Sequence, residues 1–259
     1  MERFPPAPLF LSHGAPTLAV EDCRVTRFWK SLPARWGDGI KGVVCVSAHW
    51  MTEGPMLAGG HPRPAIQHDF YGFPADLYRL SWPVSGSAEL AGQVVSVLED
   101  AGIAVEEDRD WSFDHGVWVP LRTLWPEPAF PILQLSICPR RDPAWHWALG
   151  RALAPLAQRG ILLVGSGGIT HNLGDVEWSA PEDVPAGWAA AFMQAVDAAI
   201  EQGESAPLLK PGSLPFGRRA VPTPDHYLPL LVVLGAAGRL RRIYSGWMLG
   251  TLALHAYSG

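Results

Sequence analysis

Nine histidines, His13, His49, His61, His68, His115, His146, His171, His226 and His255, are the residues of this chain whose type and placement can do chemistry. Three of them follow apolar, strand-like runs: LFLS leads to His13, VVCVSA to His49 and ILLVGSGGIT to His171. Two more open an apolar element directly behind an aspartate, His115 in DHGVWVPL and His226 in PDHYLPLLVVL. Imidazole nitrogen is the commonest protein ligand for divalent transition metals. A histidine cluster without cysteine favours iron, zinc, copper or manganese over an iron–sulfur centre. A single histidine in such a place is usually a hydrogen-bonded structural residue; five at element ends point to a shared purpose. Asp114 and Asp225, which precede His115 and His226, are candidate acceptors for fixing an imidazole tautomer.

Competing motifs are weaker. VGSGG at 164–168 has the flavour of a phosphate loop, but it lacks the third glycine of a dinucleotide fingerprint, and no Gly-Lys-Ser/Thr follows. A hydrolase elbow needs Gly-x-Ser-x-Gly, and Val164 stands two residues before Ser166. Ser12 adjoins His13 and Ser47 lies near His49, yet adjacent residues of an extended strand point to opposite faces, so Ser12 and His13 are no catalytic pair. Cys23, Cys45 and Cys138 have neither metal-site spacing nor the density of a disulfide framework, and read as reduced.

Such histidines need elements to bring them together. Buried strands are predicted at 8–13, 42–49, 130–137 and 160–168, and helices at 88–101, 143–158, 187–202 and 226–238. That alternation predicts an α/β fold, one domain over residues 1–259, with a mostly parallel central sheet flanked by helices. In such sheets ligands bind beyond the carboxyl ends of the strands, where His13, His49 and His171 would converge. Long Pro/Gly-rich segments at 52–75 and 203–225 are read as functional loops over that end. The 259 residues are 48% hydrophobic and 17% charged, with a net charge of −5 and no block of like charge, so no nucleic-acid partner is expected. No run reaches eighteen apolar residues and no signal peptide is evident; the expectation is a cytoplasmic protein without a membrane partner. Trp50, Trp118, Phe216 and Tyr227 are candidate aromatic walls of a pocket, and Arg218 or Arg219 could pair with a substrate carboxylate.

With LSHGAP, VSAHW, DHGVWVPL, GSGGITHNL and TPDHYLPLL in this order, the chain resembles the class III extradiol ring-cleaving dioxygenases, and within them the DOPA-type branch. The resemblance spans nearly the whole chain. It implies a metal site at the strand ends, one metal ion per chain on His13, His49 and His226, and a catechol and O2 as substrates. Protocatechuate-cleaving relatives place a glutamate where His226 stands, which leaves Fe(2+) or Zn(2+) open as the metal. His171 matches the family's acid/base histidine and could also reach the metal as a fourth ligand, while His115 matches a second pocket histidine. The same histidines would also suit a zinc-dependent hydrolase or a non-catalytic metal-binding protein, which are the rival expectations.

Overall fold

The computed structural model describes residues 5–59 and 61–259. Its strands are Leu9–Ser12 (β1), Gly42–Met51 (β2), Met56–Ala58 (β3), Glu106–Asp108 (β4), Ile132–Ile137 (β5), Ile161–Gly167 (β6), Arg241–Tyr244 (β7), Trp247–Met248 (β8), Leu252–Ala253 (β9) and Ala256–Ser258 (β10). The α-helices are Arg24–Ser31 (α1), Ala88–Asp100 (α2), His115–Leu124 (α3), Pro143–Leu153 (α4), Gly187–Gln202 (α5), Ser205–Leu208 (α6), Gly217–Ala220 (α7) and Leu228–Ala237 (α8). Side chains stand caps at three of the long helices: Ser87 before α2, Asp114 before α3 and Asp142 before α4 each accept a backbone N–H of the first turn.

Eight strands form one sheet in the order β4-β3-β5-β2-β6-β1-β10-β7. Its centre, β5-β2-β6-β1, is parallel. Antiparallel pairing enters only where β3 meets β5 and where β10 lies between β1 and β7. Period-two alternation sends Phe10, Val44, Val46, Leu133 and Leu163 to one face, against α2, α4, α5 and α8. Leu9, Leu11, Val43, Cys45, Leu162 and Val164 face the other side, with Trp29 of α1 and the apolar residues of α3. Burial on both faces is why these strands read as continuous apolar runs. This is the mostly parallel sheet flanked by helices that the sequence predicts.

Three differences have physical reasons. The strand predicted to stop at His49 runs on to Met51, and its pairing with β5 shifts register between Val46 and Met51, so His49 lies in an irregular stretch. The helix predicted over 143–158 changes to a 3-10 turn at Ala154–Arg159 because Pro155 removes an amide donor. The C-terminal strands β7 to β10 carry no long apolar run and go unseen in the sequence pattern, yet β10 seals the edge of β1. Among the described residues, no helix is long and apolar enough to cross a membrane.

One of the nine histidines is structural. His146, wholly buried in α4, has Nδ1 3.0 Å from the Asp142 carbonyl, to which it donates, and Nε2 accepts the Cys138 N–H at 3.2 Å. Burial lowers its pKa, against the opposing pull of Asp142. With the folded value below the unfolded one, the unfolded chain takes up this proton first, so stability is full above about pH 6.5 and declines as pH falls below it. His146→Phe is expected to cost about 1–3 kcal/mol at neutral pH by leaving the Cys138 N–H unpaired. It should also flatten the loss of stability on acidification. Chemical denaturation on both sides of that pH checks both effects.

Candidate metal centre

His13 follows β1, with its N–H on the Gly167 carbonyl at 3.0 Å. His49 lies in β2, and His226 precedes α8 with its carbonyl accepting the Gly168 N–H at 2.8 Å. One ring nitrogen from each of these three histidines lies within 4.8 Å of the other two, a group that could hold a metal ion. His13 and His226 are buried and His49 nearly so.

The partners of the outer ring nitrogens decide which nitrogen carries a lone pair. Pro120, in the second turn of α3, has no amide hydrogen to give the Gly116 carbonyl four residues earlier. That carbonyl instead accepts the Ser166 hydroxyl. With its hydrogen spent there, Ser166 Oγ can only accept from His13 Nδ1, 3.0 Å away. His13 Nε2 is therefore the bare nitrogen, and it lies 3.1 Å from His49 Nε2, a separation met by a shared proton or a shared cation. His226 Nδ1 donates to the Asp225 carboxylate, so its Nε2 also carries a lone pair; it is buried and has no hydrogen-bond partner. An orphaned buried acceptor is costly. Three neutral nitrogen donors suit iron or zinc, so these residues fit a divalent transition metal.

Burial, followed by the mutual repulsion of the rings, holds the pKa of His13 and of His49 well below the ordinary value. His226 is lowered by burial too, although Asp225 opposes this. Burial works against the Asp225 carboxylate, but hydrogen bonds from His226 and Thr223 outweigh it and keep that group ionised. The cluster is thus a set of neutral imidazoles, the state that binds metal.

His171 stacks flat on His226, with ring centroids 3.4 Å apart and planes 4° off parallel, and burial brings its pKa down to about 3. His115 packs against His49 at 4.0 Å between centroids, and its Nδ1 meets Asp69 Oδ2 at 2.9 Å. All five histidines line one cavity of about 470 Å³. Asp225 has the acceptor role anticipated for it, whereas Asp114 does not. Asp114 caps α3 and accepts Ser47 and Gln134, and the partner of His115 is Asp69, from a loop with no local signal. Ser166 was likewise hidden inside VGSGG.

The predicted aromatic walls lie elsewhere. Trp50 stacks on Trp111, Trp118 bonds the Gln67 carbonyl and Tyr227 the Leu208 carbonyl; all three are core residues, and Phe216 is an exposed residue at positive φ. None of the four lines the cavity, whose aromatic walls are Phe70, Phe73 and Trp178. Arg218 and Arg219 are not in the lining either, and Arg219 is held by Asp175 at 2.7 Å and stacked over Trp188. Beside Trp178, the wall continues in the β8–β9 hairpin, whose turn holds Leu249 and Gly250 at positive φ and accepts the Glu177 N–H at the Leu249 carbonyl, 2.9 Å away.

Comparison with known proteins agrees with this geometry. The family described as the catalytic LigB subunit of aromatic ring-opening dioxygenase matches residues 8–247. A protein of Escherichia coli (strain K12) named 4,5-DOPA dioxygenase extradiol is 41% identical over 231 residues, which cover 88% of this chain and 84% of the relative. A Beta vulgaris protein of the same name is 35% identical over 258 residues, covering 96% and 94%. The crystal structure of an uncharacterized protein from Escherichia coli K12 superposes with a TM-score of 0.80 at 34% identity, over 97% of this chain and 98% of that one.

Two glycines set the spacing of the cluster. A Cβ on Gly167 would lie 2.2 Å from the His226 carbonyl oxygen, and one on Gly116 would lie 2.6 Å from Ser47 Oγ and 3.0 Å from the His49 ring. The glycines of VGSGG thus serve close packing of the His226 segment on β6 rather than phosphate binding. Gly167→Ala is expected to push His226 out of the cluster at a cost of about 1–3 kcal/mol. Metal titration and denaturation of the variant, side by side with wild type, check this.

Proposed function

Because the chain belongs to the LigB family of aromatic ring-opening dioxygenases and is a metal-dependent extradiol dioxygenase, we propose that it opens catechols of the DOPA type with O2, using one ferrous ion on His13, His49 and His226. The observation that carries the ligand set is the convergence of three imidazole nitrogens, from buried His13 and His226 and partly buried His49, that of His226 without any partner, on a cavity of about 470 Å³. Family membership sets aside the hydrolase and non-catalytic alternatives. The substrate class follows the names of the relatives in Escherichia coli and Beta vulgaris. Ferrous iron is preferred to zinc because cleavage by O2 needs a redox-active ion, and zinc is redox-inert. Residues 1–259 act as one catalytic domain, and three free cysteines accord with a cytoplasmic setting.

Bound iron would supply open coordination positions for the diol and O2 and the electron transfer between them. The remaining work falls to the protein. His171, neutral and facing the cavity, takes a proton from a catechol hydroxyl and returns it as the ring opens. His115, whose Nδ1–H is committed to Asp69, presents Nε2 to the second hydroxyl or to O2. Phe70 and Phe73 flank the ring and exclude water from it. Asp225 holds His226 in one tautomer and orientation.

The iron-loaded protein should consume O2 and form a yellow ring-opened product with at least one catechol, and a chelator should abolish this. Oxygen uptake absent across a catechol panel, with iron bound, would refute the reading. His171→Ala should lower kcat by about 10²- to 10⁴-fold while metal content is retained. Asp225→Ala should weaken metal affinity by about 10- to 100-fold, read by competition with a chelating dye.

A further inference from the structure

His115 stands at the head of α3, and Asp69 reaches it from a loop 46 residues earlier in the chain. Local pairing brings the two together. Ile66 and Phe113 form a parallel bridge, flanked by the Phe113 N–H on the Ala65 carbonyl at 2.9 Å and the Gln67 N–H on the Phe113 carbonyl at 2.7 Å. Parallel segments in that register deliver Asp69 and His115 side by side. The Gln67 side chain donates to the Ser112 carbonyl at 2.6 Å, and the Gln67 carbonyl accepts the Trp118 indole N–H at 2.7 Å, one turn along α3 from His115. Asp69 is thus presented by a braced segment, with its side chain only 22% exposed. Its carboxylate grips His115 at two points: Oδ1 accepts the backbone N–H and Oδ2 the Nδ1–H, both at 2.9 Å.

The first contact is a helix cap, and α3 already has one in Asp114. The second does more. Burial works against the Asp69 carboxylate, but the hydrogen bonds from His115 outweigh it and keep the group ionised, so it only accepts. The imidazole hydrogen therefore sits on Nδ1, and Nε2 is left bare in a residue that lines the cavity. We propose that Asp69 is a positioning residue for ring opening, which holds His115 as a hydrogen-bond acceptor toward the catechol hydroxyl that His171 does not take. The inference rests on the ring-opening function proposed above and adds the residue that sets the direction of the hydrogen at His115. Asparagine separates this role from capping. The His115 backbone N–H can only donate, so the amide oxygen of the new side chain must face it, which turns the amide NH2 toward Nδ1. Nδ1 then accepts, the hydrogen moves to Nε2, and His115 meets the substrate as a donor. In Ser-His-Asp triads the same change keeps the geometry but lowers kcat by about 10⁴-fold through the wrong tautomer. As a cap, asparagine is the equal of aspartate.

Nitrogen NMR spectra of the zinc-loaded protein, isotope-labelled in histidine, read the tautomer directly, and kcat and KM of the iron-loaded protein with a catechol read its consequence. Wild type should carry the His115 hydrogen on Nδ1, and Asp69→Asn should carry it on Nε2. Asp69→Asn should also lower kcat by about 10²-fold or more, with KM and metal content little changed. A wild-type hydrogen on Nε2, a tautomer unmoved by Asp69→Asn, or an asparagine variant that keeps most of the wild-type kcat would overturn the inference while leaving ring opening intact. Absence of turnover by wild type would instead strike the proposed function, and the spectra would still decide the tautomer. The wild-type spectrum decides it even if the variant fails to fold.

Discussion

A single hydroxyl links the fold to the chemistry of this protein. Ser166 Oγ donates to the Gly116 carbonyl and accepts His13 Nδ1, so it ties the end of β6, the first turn of α3 and the segment after β1. The link exists because Pro120 leaves the Gly116 carbonyl free of its ordinary helical partner. A proline inside a helix normally costs about 3 kcal/mol, partly through that lost bond. Here the freed acceptor is reused, and it fixes the direction of both hydrogens between His13 and Gly116. Reverse the Ser166 hydroxyl, and His13 would carry its proton on the nitrogen that faces His49.

The rest of the cluster obeys the same constraint. Neutral imidazoles packed with centroids 4–6 Å apart are held in one tautomer when the ring N–H has an acceptor away from the common centre, as it has in His13, His226 and His115. The acceptors come from three separate places: Ser166 on β6, Asp225 beside α8 and Asp69 in the loop after β3. Close backbone approach at Gly167 and Gly116 is then a requirement, since any side chain there would pry apart the elements that carry donors and acceptors. The register shift between β2 and β5 falls after Val46, in the stretch of β2 that carries His49.

What the sequence made legible follows from these causes. Strands β1, β2, β5 and β6 announce themselves because both faces are buried, and His13 and His49 stand out as polar interruptions of those runs. His226 and Asp225 are neighbours in sequence, so their bond could be anticipated. Asp69 and Ser166 could not: their partners lie 46 and 153 residues away, and neither sits in a pattern that distinguishes it from a loop aspartate or a strand serine. The cavity walls were hidden for a related reason. Tryptophan and tyrosine in apolar runs, such as Trp50, Trp118 and Tyr227, go to the core, whereas Phe70, Phe73 and Trp178 come from loops whose course depends on tertiary contacts. Strands β7 and β10 escaped notice because they are short and pair antiparallel at one edge, where little apolar repetition is needed.

On the ligand set proposed here, all three donors are neutral, so the positive charge of a divalent ion would reach the cavity undiminished by a directly bound carboxylate. The negative charges of Asp225 and Asp69 stand one imidazole further out, where they polarise His226 and His115 without occupying a ligand position. Such an arrangement favours a substrate that delivers its own negative charge at the centre by losing a proton from its diol. A diol that loses one proton would offset half of that charge, and the neutral imidazoles would leave the other half uncompensated at the centre.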